Sequence, residues 1–400
     1  MAEKSKSRVF TPGKIGRLEL RNRTIRSGCF EGMCHGAAPG DALVEHHRKV
    51  AAGGIGMTTV SYCAVSRDGV AFPHEMWMRE EIIPALKVLT DAVHGEGAAV
   101  SIQLGHCGFF ASRAVIGKRP IGPSRKLCLF RYSICRATDR VDMERVRNDF
   151  GEAARMAIAA GFDAIEVHAG HGYLLSQFLS PWTNRRKDEY GGPLENRLRF
   201  PASVIEHVRR IVGPGYPVLV KMNCEDGFKG GLYIDEAVRV AKRFEEAGAS
   251  MLVPSCGFTA RTSFHMMRGK VPIREYVKSE KNWFTKAGMA LFGRFIVKEV
   301  PFQALFLLDQ AKRIRDAVKI PVAYVGGVCS LEEMNKVMND GFDFVQLGRA
   351  TIKDPDAIKK MESGEITGVD CDHCNRCVAA MAAQGLTCVS VTGESSRSRE

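Results

Sequence analysis

A chain of 400 residues has room for one large domain or two ordinary ones. Its composition, 45% hydrophobic and 26% charged, is that of a soluble globular protein. No run approaches the roughly 18 uninterrupted apolar residues of a membrane helix, so a transmembrane protein is excluded from the expectations. The stretch Met1 to Val9 is polar and has no apolar core, so no secretory signal is read there and the expected location is cytoplasmic. Thirteen cysteines in a chain of this size do not resemble a secreted disulfide framework. The net charge of +12 is concentrated in two places. Residues 112–147 carry ten Lys/Arg against three Asp/Glu, and residues 259–303 carry nine against three. The basicity therefore belongs to two insertions and not to the scaffold.

In chain order, short β-branched runs alternate with helical stretches that end at Gly or Pro. The strands expected are Thr24–Phe30, Ile55–Ala64, Ala98–Gln103, Ala164–His168, Val218–Asn223, Met251–Pro254, Val322–Val325 and Phe344–Leu347. Helical spacing connects Ile82, Leu86, Leu89 and Val93, and again Phe150, Ala154, Ala157, Ile158 and Phe162. Glycine turns at Gly53-Gly54, Gly95-Glu96-Gly97, Gly161, Gly248 and Gly341 supply left-handed helix stops. Alternation of strand and helix predicts parallel pairing, and eight such units predict an α/β fold of the (β/α)8 barrel type. In a barrel the active site lies at the C-terminal ends of the strands. The basic insertions follow the third and sixth strands, so both are expected over that mouth. The barrel is expected to span residues 1–362. Residues 363–400 are read as a cysteine-bearing cap ending in a disordered tail from Thr392.

The densest chemistry follows the fourth strand: His168-Ala-Gly-His171-Gly-Tyr173, then Leu-Leu-Ser-Gln-Phe-Leu-Ser-Pro181 and Asn184-Arg185-Arg186 up to Asn196-Arg197. Two histidines three residues apart on a turn could both donate to one carbonyl oxygen and polarise it. A tyrosine two residues on could hand a proton to a neighbouring carbon. The bland reading, core histidines beside a packed tyrosine, is weakened by so many polar groups at a barrel strand's end.

This stretch closely resembles the signature of the old yellow enzyme family, and the resemblance runs from about Phe10 to Met361. It implies bound FMN, reduced by NAD(P)H, and reduction of electron-poor alkenes, chiefly α,β-unsaturated carbonyl compounds. In that family the flavin gives hydride to the β-carbon and a tyrosine protonates the α-carbon. By position His168 and His171 hold the carbonyl oxygen and Tyr173 is the proton donor. The resemblance also places Ser27, Gly28 and Cys29 in the loop under the flavin, with Cys29 on the flavin carbonyl. It places Ser61-Tyr62 beside the flavin and Gln103, within Gln103-Leu-Gly-His106, on the isoalloxazine edge. Lys221 stands where the family often has arginine. A cation there stabilises the anionic reduced flavin, although lysine cannot make a bidentate contact. The phosphate is expected after strands seven and eight, at Gly326-Gly327 and Gly348-Arg349.

A second constellation is Cys371-x2-Cys374-x2-Cys377 with Cys388 beyond it. Four thiolates suit an iron–sulfur cluster, ahead of zinc. Enzymes of the wider family similar to trimethylamine dehydrogenase and 2,4-dienoyl-CoA reductase carry a [4Fe-4S] cluster at this place, before further nucleotide-binding domains. In this sequence a relic, a zinc staple, a relay to an external donor and four reduced thiols stay open. The basic, aromatic-rich segment Lys281 to Lys298 reads either as a solvated lid face or as part of a positive field. Such a field attracts an anionic small-molecule substrate such as an acyl-CoA thioester, or an acidic electron-transfer partner, or an anionic membrane surface. The leading expectation is an FMN-dependent ene-reductase. An amine dehydrogenase or demethylase is the alternative, and a tRNA-modifying FMN barrel is a remote one, so no nucleic acid is expected. A homo-oligomer is expected.

Overall fold

The computed structural model describes residues 7–279, 297–381 and 385–391, with 283, 286–288, 291 and 293. Eight strands form the barrel: β1 (Thr24–Arg26), β2 (Met57–Ala64), β3 (Ala99–Gly105), β4 (Ala164–Ala169), β5 (Val218–Glu225), β6 (Met251–Cys256), β7 (Ala323–Val325) and β8 (Phe344–Leu347). Neighbours in this order are parallel, and β8 returns to β1 in the register Gln346↔Ile25. The last seam, β6 to β7, closes through the parallel bridge Leu252↔Val322. All eight residues of β2 are buried, because one face meets the barrel interior and the other the helices.

Eight helices alternate with the strands: α1 (Asp41–Ala52), α2 (Ile83–Gly95), α3 (Arg140–Ala159), α4 (Leu194–Val212), α5 (Ile234–Glu246), α6 (Leu308–Arg315), α7 (Leu331–Asn339) and α8 (Ala357–Ser363). Asp139 and Ser330 start α3 and α7 with reciprocal capping boxes, which satisfy amides the first turn leaves unpaired. The apolar spacing read along α2 buries Ile82, Leu86, Leu89 and Val93, whereas Ile158 of α3 is 39% exposed. A hairpin of Gly13–Ile15 and Leu18–Leu20 plugs the N-terminal end, packing Ile15 and Leu20 on Ile25, Leu219 and Phe344.

The strands differ from expectation where the site begins. β1 stops at Arg26, four residues early. Ser27 N still donates to Leu347 O at 2.8 Å, and then the chain leaves the ladder as an irregular loop. In contrast β3, β5 and β6 each end two residues later than expected, and the added Ser255 of β6 reaches His171. After β3 a small sheet stands over that mouth. Its strand Ser133–Ala137 pairs with Lys126–Cys128 and with Ile121–Gly122. Most of the segment from Lys281 to Lys298 lies outside the described residues. No helix among the described residues is long and apolar enough to cross a membrane.

The segment after α8 turns back over the barrel. Val369 N donates to Cys329 O at 2.8 Å, and Leu386 N donates to Glu31 O at 2.8 Å. Gly32 lies under it with φ +66°, and a Cβ there would collide with Met381 O. Gly32→Ala is therefore expected to lower stability by about 1–3 kcal/mol, seen as a reduced urea midpoint. An unchanged midpoint would mean this segment is not clamped to the β1 loop.

Candidate active site

Inward-facing side chains of β3, β4, β5 and β8 meet at one level in the barrel. Glu166 Oε1 accepts from Gln103 Nε2 at 2.6 Å and from Lys221 Nζ at 3.0 Å, and its Oε2 accepts from Gln346 Nε2 at 3.4 Å. Lys221 Nζ also donates to Ser27 Oγ at 3.3 Å and to Gln346 Oε1 at 3.4 Å. Ser61 Oγ donates to Gln103 Oε1 at 3.0 Å. All of these residues are buried. Burying an ion pair is costly, and it is offset here because every ammonium hydrogen and both carboxylate oxygens are satisfied. Gln103 keeps one amide hydrogen, and a Cβ on Gly28 would lie 3.0 Å from that nitrogen. The space above Gly28 is thus bordered by an amide donor and an ammonium.

A second buried cluster fixes the floor of the β1 loop. Arg26 Nη1 donates to Glu31 Oε1 at 2.5 Å and to Thr59 O at 2.7 Å. Glu31 Oε2 accepts from Ser61 N at 3.0 Å. Burial pushes the Glu31 carboxyl up against the pull of Arg26, and burial with Arg26 pushes His46 and His47 well down. This clamp holds Cys29 above it. A Cβ on Gly348 would sit 3.5 Å from Cys29 Sγ, so the β1 and β8 ends meet there. Burial raises the Cys29 thiol, opposed by Arg26 and Lys221.

The chain after β4 brings His168, His171 and Tyr173 together. His171 sits at φ +56°, and its N–H donates to Asn223 Oδ1 at 2.9 Å. The turn sets His168 Nε2 at 3.3 Å from His171 Nδ1. Gly170 N donates to His168 Nδ1 at 3.2 Å, which places the His168 proton on Nε2, toward the pocket. His171 Nε2 lies 2.7 Å from Ser255 Oγ. A hydroxyl can accept or donate, so Ser255 serves either tautomer of His171 and lets Nδ1 become a donor. Burial, then the Lys221 charge, pushes His171 down to about 3. Burial, His171 and Lys221 push His168 well below its ordinary value. Both imidazoles are therefore neutral at neutral pH. The Tyr173 ring stacks on Tyr62 at 5.2 Å and meets His168 edge-on at 4.8 Å. Burial first, then the Glu75 and Cys107 charges, push its phenol up. It holds its proton at neutral pH and is available as an acid.

At the ends of β7 and β8, Gly326 and Gly327 have φ +147° and +74°. A Cβ on Gly327 would lie 2.8 Å from Gln303 O. Arg349 reaches away from β8: its Nη1 donates to Arg268 O at 2.7 Å and to Asn375 Oδ1 at 2.9 Å. It joins the loop after β6 to the C-terminal segment as well as standing at the expected anion site. Cys371, Cys374, Cys377 and Cys388 line one pocket with Arg349 and Asn375. Burial raises the first three thiols, Cys377 to about 12. Among the described residues no three His, Cys, Asp or Glu side chains converge as a metal-ligand group. In kind and number the four sulfurs fit a thiolate-held metal, provided the side chains turn inward.

Several residues of this site were not singled out in the sequence: Glu166, Gln346, Ser255, Arg26 and Glu31. Glu166 had a signal, since it lies two residues before His168 in an apolar strand and so shares its face. Ser255 had none.

A barrel with this polar level, and with neutral donors beside a protonated phenol, is the frame of a flavin-dependent oxidoreductase. The family model described as NADH:flavin oxidoreductase / NADH oxidase matches residues 8–290, and the chain belongs to that family, that of the old yellow enzymes. A model described as histidine biosynthesis protein matches residues 305–393, a minor share of the chain. The 4,4'-dithiodibutanoate disulfide reductase of Rhodococcus erythropolis is 36% identical over 382 residues, covering 95% of this chain and 94% of the relative. An NADH oxidase of Thermoanaerobacter brockii is 29% identical over 385 residues, covering 94% of this chain and 54% of the relative. A 2-naphthoyl-CoA reductase complex is 26% identical with a TM-score of 0.77, covering 89% of this chain and 52% of that one. A histamine dehydrogenase from Rhizobium sp. 4-9 is 25% identical with a TM-score of 0.75, covering 89% and 48%. The chain thus spans about half the length of the last three. It is an FMN-type oxidoreductase.

Two outcomes check the site. Lys221→Met leaves Glu166 buried without its counter-charge and is expected to cost about 3–5 kcal/mol, read by urea unfolding, together with loss of bound flavin. The depressed histidines also give stability a pH dependence. Below the ordinary value of 6.5 an unfolded chain takes up a proton that native His171 refuses until about 3. Stability is therefore full above pH 6.5 and is lost as pH falls toward 3. A urea midpoint that rose on acidification through this window would contradict the neutral pair.

Proposed function

We propose that the protein reduces the C=C bond of an α,β-unsaturated carbonyl compound with electrons from NAD(P)H. The convergence of His168 and His171 beside Tyr173 supports this most directly. The Gly28 space with Gln103 and Lys221, and the glycines after β7 and β8, would hold FMN, which when bound supplies the hydride. His168 Nε2 and His171 Nδ1 would bind the carbonyl oxygen and draw electron density from the alkene. Tyr173 would deliver its proton to the α-carbon. The Tyr62, Phe110 and Phe258 rings exclude water around it. The four cysteines would hold an iron–sulfur cluster, which would let an external acidic donor protein replace NAD(P)H.

A second reading is supported by the disulfide reductase that matches nearly the whole chain. In it the same site reduces a small organic disulfide, with Tyr173 protonating the departing thiolate. Amine oxidation is less well supported. Aromatic faces suited to a cation are already covered: Lys126 Nζ lies 3.6 Å from the Trp182 centroid, and Arg261 lies 4.3 Å from that of Phe228.

Tyr173→Phe tests the reading. Alkene reduction is expected to slow about 100-fold or more, while flavin reduction by NAD(P)H stays within a few-fold in stopped-flow traces. If both half-reactions kept their wild-type rates, Tyr173 would not be the acid.

A further inference from the structure

The insertion after β3 turns one arginine inward. The tip between Lys126–Cys128 and Ser133–Ala137 leaves Leu129 and Tyr132 outside, 74% and 80% exposed. Arg131 between them folds back over the mouth. Its Nε donates to Phe110 O at 3.0 Å and its Nη2 to Ala71 O at 2.9 Å. Its guanidinium lies 4.2 Å from the Phe110 centroid and 4.8 Å from that of Phe72. The Phe110 ring in turn is 6.3 Å from the Tyr173 ring. Arg131 is close enough for its charge to favour the Tyr173 phenolate.

The Glu75 carboxyl acts on Arg131 without forming a salt bridge to it. In the same insertion Lys118 and Arg145 pair with Asp68, Arg136 with Asp142, and Arg140 with Glu189. Among the described residues no carboxylate forms a salt bridge with Arg131. Glu75 is the nearby buried carboxyl; its Oε2 accepts from Ala71 N and Phe72 N, and its Oε1 from Ala71 N. Burial pushes it up toward its neutral form, against the pull of those amides and of the Arg131 charge. A guanidinium has five N–H donors, and Arg131 spends two on carbonyls. A largely desolvated cation with spare donors, held rigidly on an aromatic wall, is a built anion site.

We propose that Arg131 anchors a free carboxylate of the substrate, so that the acceptor is a small unsaturated carbonyl compound bearing a carboxylate beyond the reacting alkene. This rests on the site reading given above. The backbone bonds of Arg131 fix the guanidinium, the Phe110 and Tyr173 rings line the span between, and the two histidines take the carbonyl end.

The test uses flavin-loaded wild type, Arg131→Gln and Arg131→Lys. With 6-oxohex-4-enoate and its methyl ester as acceptors, Arg131→Gln is expected to raise KM for the carboxylate about 10–100-fold more than for the ester. Arg131→Lys, which keeps the charge, falls between. An equal change for both acceptors would overturn the anchor. Binding of hexanoate and hexanamide by calorimetry needs no turnover, so it separates this claim from the alkene reading. Hexanoate affinity is expected to fall about 10-fold or more in Arg131→Gln while hexanamide is little changed. Wild type that ignores hexanoate, or a variant that binds it as well, would also overturn it.

Discussion

Glu166 and Lys221 meet inside the barrel at 3.0 Å, and the rest of the site hangs on that contact. A carboxylate and an ammonium on neighbouring strands are tolerable in a buried core only if the surrounding groups finish their hydrogen bonds. Gln103, Gln346 and Ser27 do so, from β3, β8 and the end of β1. Five barrel strands, β1, β3, β4, β5 and β8, are thereby tied together at their C-terminal ends. A positive edge is presented beside the Gly28 space, and the ammonium extends its influence to His168 and His171, helping burial keep both neutral.

That neutrality gives the upper part of the site its chemistry. A protonated imidazole pair beside an ammonium would repel itself, whereas a neutral pair offers directed N–H donors. Ser255 allows the His171 tautomer to follow the ligand. Tyr173 is kept as a phenol by burial. Inside the barrel, charge is admitted where it is paired, and the two histidines and the phenol above it stay neutral.

Much of this was legible in the sequence. Eight β-branched runs separated by helical spacing pointed to the barrel, and His168-x-x-His171-x-Tyr173 pointed to the turn on which those three side chains meet. Strand ends were less legible because tertiary contacts at the mouth decide them. β1 ends early where its loop turns toward the Gly28 space, and β6 runs on to Ser255, which meets His171. The roles of Arg349 and Arg131 were hidden for another reason. Arg349 contacts Asn375 across 26 positions, and Arg131 contacts Ala71 across 60, so only the folded chain brings those partners together. Glu166 was legible in principle, from its shared face with His168.

In the proposed reaction hydride and proton arrive at different carbons of an activated alkene. The most direct measurement is the NMR position of deuterium in the product of 6-oxohex-4-enoate reduction. It would be made once with NAD(P)H deuterated at C4 and once with unlabelled NAD(P)H in D2O. The nicotinamide label is expected on the β-carbon and the solvent label on the α-carbon. Absence of saturated aldehyde, or nicotinamide label on the carbonyl carbon, would contradict the account.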